Sequence, residues 1–408
     1  MWSGAVLVAL LLQSAAAPAS DLQSEGLKAL EQKNYPAAIE ALGKAVAADP
    51  KDYAAHFNLA LAYSLAGRDA EAIGEYRKTL ELKPGLYQAD LNLGILLLRG
   101  KQPDAAVSVL EEARAAKPNE FRPAFYLAEA LAASNSDQAV EAYQDALKID
   151  PKSAAAELGL ARVLVRRKEI AGAAPHFERA AEIDPAYGDA LLELAELYER
   201  DQKTAEAVAL YNKFPDNAAA QEHAGEMLAA AGNRAEAIPH LEAAVRISPT
   251  SANRSALAAA YFANKEAEKG IGALNQALAA DPKNYELRML AGRLVRDQKQ
   301  YPAAVKQFQA AASLKPDSVE AWGELAASSV LAENHDQAFA ALDKLKALGG
   351  ETPPHLYLRA IMMDKLKQLK PALDYYQQFL AAAQGKYPDE EFKSRQRARI
   401  IQRELSKR

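Results

Sequence analysis

The chain contains no cysteine. Thiol nucleophiles, cysteine-ligated zinc, iron–sulfur clusters, disulfides and lipidation at an N-terminal cysteine are therefore excluded. The redox compartment stays open. An excess of one charge is also lacking: 49 Lys+Arg face 54 Asp+Glu, a net charge of −5. So mild an acidic balance argues against a nucleic-acid binder driven by phosphate contacts. No stretch approaches the ~20 apolar residues that span a bilayer, and β-branched runs of the strand type are missing.

Signatures of chemistry are absent as well. There is no G-x-x-x-x-G-K-[ST], no G-x-S-x-G and no H-E-x-x-H. Gly270-Ile271-Gly272 lacks the third glycine of a dinucleotide fingerprint and follows no strand. The histidines His56, His176, His223, His240, His335 and His355 are scattered singly and read as surface or packing residues. Glu111-Glu112 and Asp389-Glu390-Glu391 read as solvated faces and a helix N-terminus. The expectation is a non-enzyme with no catalytic residue, cofactor or metal.

Half of the 408 residues are hydrophobic and a quarter are charged, enough for a large core. Length alone suggests two or three domains. The first nineteen residues carry no charged side chain. Ala5 to Leu12 is an apolar run of eight, and Ala17-Pro18-Ala19 fits an A-x-A cleavage pattern. Residues 1–19 therefore read as a signal peptide, and the protein as periplasmic or secreted. The alternative is a chain left anchored by its N-terminus to the inner membrane.

Prolines reveal the organisation. Pro50, Pro84, Pro118, Pro151, Pro185, Pro215, Pro249, Pro282 and Pro316 are spaced by 34, 34, 33, 34, 30, 34, 33 and 34 residues. Proline lacks the N–H and clashes with the preceding turn, so a helix ends about once per period. Between prolines, apolar residues recur at three and four. In one unit Phe57, Leu59, Ala60 and Tyr63 precede a turn at Gly67-Arg68-Asp69, and Ala72, Ile73, Tyr76 and Leu80 follow. The pattern predicts two amphipathic helices per unit.

A small residue, an alanine twelve on, a bulky residue four further, a small residue and a proline recur in register. Ala60/Ala72/Tyr76/Thr79/Pro84, Gly94/Ala106/Leu110/Ala113/Pro118 and Gly292/Ala304/Phe308/Ala311/Pro316 are three of about ten sets across residues ~20–385. In this the chain resembles the tetratricopeptide repeat family. The resemblance implies an all-α fold: an α-solenoid of tandem helix-turn-helix repeats forming a right-handed superhelix. A small residue lets two helices approach closely, and a bulky neighbour fills the space between repeats. Stacking then completes a core that one helix pair cannot form alone.

The unit ending at Pro215 is four residues short. The expected organisation is an N-terminal array over 20–215, a continuous C-terminal array over 216–385 with a kink near 215, and a basic capping helix over 386–408. In that helix Ser394, Ala398, Ile401 and Leu405 form a docking stripe. Lys393, Arg395, Arg397, Arg399, Arg403, Lys407 and Arg408 suit weak contact with anionic lipid or an acidic partner.

Members of the resembled family bind peptides or partner helices on the concave side, lined by the first helix of each repeat. Transferred to this register, the lining positions are Phe57, Leu61, Leu91, Ile95, Leu98, Phe125 and Leu158, an apolar groove unless superhelical neighbours bury it. Further on they are Asp189, Glu196, Glu199, Glu222 and Glu226, an acidic stretch suited to a basic partner segment. Glu286, Met289, Arg293 and Arg296 continue the lining as a mixed set. Asn58 and Asn92 match the asparagine of repeat domains that clamp a C-terminal carboxylate, but the accompanying basic residues are missing from adjacent units. The functional expectation is an exported, non-catalytic scaffold for other proteins. A self-assembling envelope component and a non-catalytic subunit of a separately encoded enzyme are the alternatives.

Overall fold

The structure is a computed structural model that describes residues 17–406, with side chains from Asp21. The expected signal segment lies outside the described residues except for Ala17-Pro18-Ala19, which open the first helix. Lys407 and Arg408 lie outside them too. The described residues form helices joined by short turns and include no strand. They form two compact units, one up to Leu197 and one from Tyr198 on.

In the first unit the helices pair as α1 (Ala17–Glu31) with α2 (Tyr35–Ala48), α3 (Tyr53–Leu65) with α4 (Asp69–Leu82), and α5 (Tyr87–Arg99) with α6 (Pro103–Ala116). Next come α7 (Phe121–Ala133) with α8 (Ala139–Ile149), and α9 (Ala154–Arg166) with α10 (Ile170–Ile183). A single 3₁₀ turn, Pro185–Tyr187, precedes α11 (Ala190–Arg200), in which the units meet in sequence. The second unit continues with α12 (Thr204–Tyr211), then α13 (Ala218–Ala230) with α14 (Arg234–Ile247), and α15 (Ser251–Ala263) with α16 (Ala267–Ala280). There follow α17 (Tyr285–Asp297) with α18 (Tyr301–Leu314), α19 (Val319–Leu331) with α20 (His335–Ala347), α21 (Pro353–Lys365) with α22 (Leu369–Ala383), and finally α23 (Pro388–Ser406).

The helix boundaries follow from local chemistry. After six of the nine helix-ending prolines, a polar side chain caps the start of the next helix. Asp52, Ser153, Asn217, Thr250, Asn284 and Ser318 each accept a bond from a backbone N–H of the first turn that has no helical partner. Within a pair the chain reverses through one residue in the left-handed region: Lys33, Gly67, Lys101, Asn135, Lys168, Gln202, Gly232, Lys265, Lys299, Glu333 and Lys367. Their spacing repeats the 34-residue period. Most are not glycine, so the turn is imposed by the packed pair rather than by local preference.

Packing explains the small-residue positions. At Gly94 an added Cβ would stand 2.4 Å from Leu110 Cγ, and at Gly292 it would stand 2.5 Å from Phe308. At these crossings, glycine is what lets the bulky side chain lie flat against the backbone of the other helix. Consecutive first helices also touch one another, as α5 with α7 and α13 with α15 do, and second helices pack on the next first helix, as α6 on α7 and α18 on α19 do. First helices are therefore covered on more sides than second helices.

The short repeat is short in its second helix. α12 ends at Tyr211, and a tight turn through Asn212 to Phe214 replaces the missing helical turn. Gln221 of α13 donates to the Phe214 carbonyl at 3.2 Å and ties that turn down. At the other end α23 lies on α22, with Ser394, Ala398 and Ile401 buried and Leu405 packed beside them. The Asp389-Glu390-Glu391 run forms the first turn of α23, the helix N-terminus expected from the sequence, and within it Glu391 is buried, bonded to Arg395 and to the Tyr387 backbone N–H.

Candidate protein-binding surface

The structure buries six of the seven apolar lining residues expected from the sequence. Phe57, Leu61, Leu91, Ile95 and Leu98 are at most 4% exposed, and Leu158 is 9% exposed. Phe57 stands edge-on to Tyr76 with ring centroids 5.6 Å apart and shares one core cluster with Leu91, Ile95 and Leu98. Leu61 packs with Leu27 and Leu42. The groove reading is corrected at these six positions. Neighbouring repeats cover the first helices, so the side chains contribute to the core instead of a ligand surface. Met289 is buried for the same reason. Phe125 remains half-buried, stacked on Phe121 at 5.4 Å and edge-on to Tyr126.

The acidic positions behave differently. Asp189 and Glu196 are exposed in the first unit. In the second unit Glu199, Glu222 and Glu226 gather around His223. The His223 ring nitrogen lies 3.1 Å from Glu199, Tyr211 donates to Glu199 at 2.7 Å, and the Tyr211 and His223 rings stack at 5.5 Å. Partial burial, with Glu222 and Glu199 nearby, raises the Glu226 carboxyl above the usual carboxylate range, and His223 opposes the shift. Glu286, Arg293 and Arg296 are engaged by Lys315, Glu320 and Glu324. Asn58 and Asn92 are fully buried, and Asn92 donates to the Tyr76 hydroxyl at 3.0 Å, an internal role instead of a ligand clamp.

A recurring polar pair was not anticipated. It joins the residue four before the small position to the residue three after the second-helix alanine. His56 meets Glu75 at 2.5 Å, Glu157 meets His176 at 2.6 Å, Gln221 meets His240 at 2.9 Å, and Arg288 meets Gln307 at 2.7 Å. The constant separation of 19 residues between complementary side chains was the available signal.

The pair fails in two informative places. In the third repeat Asp90 faces the apolar Val109, and its Oδ2 is buried with no hydrogen-bond partner. Burial, aided by Glu112, pushes the Asp90 carboxyl up to about 7. In the fourth repeat both positions are alanine, Ala124 and Ala142. A cavity of about 210 Å³ opens there, floored by Leu127 and Leu131 and rimmed by Arg114, Gln138, Glu141 and Asp145. Among the described residues no helix is long and apolar enough to cross a membrane.

Comparison with known proteins bears on the class. Two family models, both described as tetratricopeptide repeat, match residues 24–87, 128–188 and 289–353, and 164–231 and 228–294. The small glutamine-rich tetratricopeptide repeat-containing protein 2 of Mycosarcoma maydis is 28% identical over 145 residues, 36% of this chain and 32% of that protein. The chain therefore spans about a third of that relative's length. Among solved structures, MamA (residues 41 to the end) from Desulfovibrio magneticus RS-1 is 24% identical with a TM-score of 0.40, covering 42% of this chain and 98% of its own. A second MamA structure is 22% identical with a TM-score of 0.40, covering 41% and 92%. The paired helices, their 34-residue period and the family matches along most of the chain lead to one conclusion: this protein belongs to the tetratricopeptide repeat family, an α-solenoid class of protein-interaction scaffolds.

Proposed function

We propose that the protein is an exported, non-catalytic adaptor that captures a basic segment of a partner protein on the acidic surface of its second unit. The observation that carries this reading is the gathering of Glu199, Glu222 and Glu226, where partial burial first and the neighbouring carboxylates second leave the Glu226 carboxyl harder to ionise than usual. A lysine or arginine placed there would relieve repulsion among carboxylates and release bound counterions. The protein would then gain affinity from charges it already holds close together. Taken by itself, the first unit exposes acidic positions at Asp189 and Glu196. Export rests on the apolar run Ala5 to Leu12 and on Ala17-Pro18-Ala19.

Affinity capture from the native host, followed by mass spectrometry, tests the adaptor. The unaltered chain and a Glu222→Lys/Glu226→Lys variant are compared at low and raised salt. A basic-segment partner lost from the variant and weakened by salt supports the reading. A partner set identical for both chains and indifferent to salt removes the acidic surface from it.

A further inference from the structure

We propose that the outward face of α23 docks on an anionic lipid surface. The inference stands apart from the adaptor reading, because membrane docking needs no protein partner.

α23 has two unlike sides. One is fixed to the second unit by Ser394, Ala398 and Ile401, and by Arg397, which donates to both carboxylate oxygens of Asp364 at 2.5 and 2.7 Å. The other carries Phe392, 62% exposed, and Ile400, 44% exposed. At roughly 100° per residue, Arg399, Phe392, Arg403, Gln396, Ile400 and Lys393 fall on one arc of about 120°.

The charges on that arc are free in a specific sense. Arg395 and Arg397, at its margin and on the docked side, are held by Glu391 and by Asp364 with Glu404. Lys393, Arg399 and Arg403 have no side-chain partner among the described residues. Of the acids near this face, Glu404, next to the arc, is engaged by Arg397 at 3.5 Å, and Asp389, exposed in the first turn, falls on the arc one turn before Lys393. The helix therefore presents three unpaired cations beside two exposed apolar side chains, Lys393 and Arg399 between Phe392 and Ile400 and Arg403 one turn beyond Ile400.

Phe392 and Ile400 are eight residues apart, about 12 Å along the helix. An anionic bilayer meets this whole length at once. Its headgroups face the cations, while the two apolar ends enter the boundary with the acyl chains. An acidic protein would need two apolar pockets about 12 Å apart with carboxylates between them. Docking through the buried stripe means the face is presented already folded, so no helix has to form on binding.

Sedimentation with lipid vesicles tests the proposal on the full chain. Phosphatidylcholine vesicles are compared with vesicles in which a third of the lipid is phosphatidylglycerol. The expected result is preferential binding to the anionic vesicles, weakened by salt. Arg399→Gln with Arg403→Gln lowers partitioning about 25-fold, close to fivefold per cation, and Phe392→Ser lowers it further. The substituted side chains are exposed, so melting curves should not move, which separates lost binding from lost folding. Equal binding to both vesicle types, insensitive to these substitutions, reports the apolar run Ala5 to Leu12 and overturns the proposal. No binding to anionic vesicles overturns it, and so does preferential capture by soluble polyglutamate, the outcome for an acidic protein partner.

Discussion

Asp90 shows what one missing partner does. Four other repeats place a complementary side chain across from this position, whereas here Val109 leaves a buried carboxyl oxygen unbonded. Its folded pKa of about 7 lies above the ordinary 3.8. Between those values the folded state binds more protons than the unfolded state, so stability falls as pH rises from about 4 to 7. Three units correspond to an upper figure of about 4 kcal/mol. Asp90→Asn keeps the shape and cannot ionise. Denaturant titrations from pH 4 to 8 should show a flatter dependence for the variant and higher stability at pH 8. Parallel curves for the two proteins would remove Asp90 as the source.

At the scale of the helix pair, the left-handed turns hold a reserve of stability. Lys101 (φ 56°) and Lys299 (φ 61°) sit where a side chain strains the backbone, while Gly67 and Gly232 occupy the equivalent turn without that cost. Lys101→Gly and Lys299→Gly should each stabilise by up to about 1 kcal/mol, less the entropy that glycine adds to the unfolded chain. Thermal melts check this, and a drop in Tm for both would show that the lysine stems contribute more packing than the turn costs. These turns were partly legible. The tight reversal at Gly67-Arg68-Asp69 could be read from the sequence. The lysine turns could not, because nothing local favours a left-handed lysine, and the packed pair forces it.

Across the whole molecule, energy is local to neighbouring repeats. Ala106 and Ala173 are both fully buried at crossings and lie two repeats apart in the first unit, with no helix in common among their contacts. Ala106→Leu and Ala173→Leu should each cost about 1–3 kcal/mol by overpacking. Their combination should be additive within about 0.5 kcal/mol. Chemical denaturation of the two single variants and the double variant measures it. A strong interaction energy between them would mean that strain travels through the intervening repeat.

The division between sequence and tertiary structure follows from the range of the forces involved. Proline spacing, apolar periodicity and small residues at crossings act within one repeat. They were enough to determine an all-helical array, its 34-residue period, the shortened second helix before Pro215 and the docking stripe of the last helix. The fate of Phe57, Leu61, Leu91, Ile95, Leu98 and Leu158 could not be settled that way. A position on a first helix is lining or core depending on how closely the next repeat covers it, and that distance is set by side chains roughly 34 residues away. The same holds for the polar pair whose absence leaves Asp90 unbonded and opens the cavity at Ala124 and Ala142. Local chemistry wrote the repeat, and the packing of one repeat on the next decided which of its side chains remain available to another molecule.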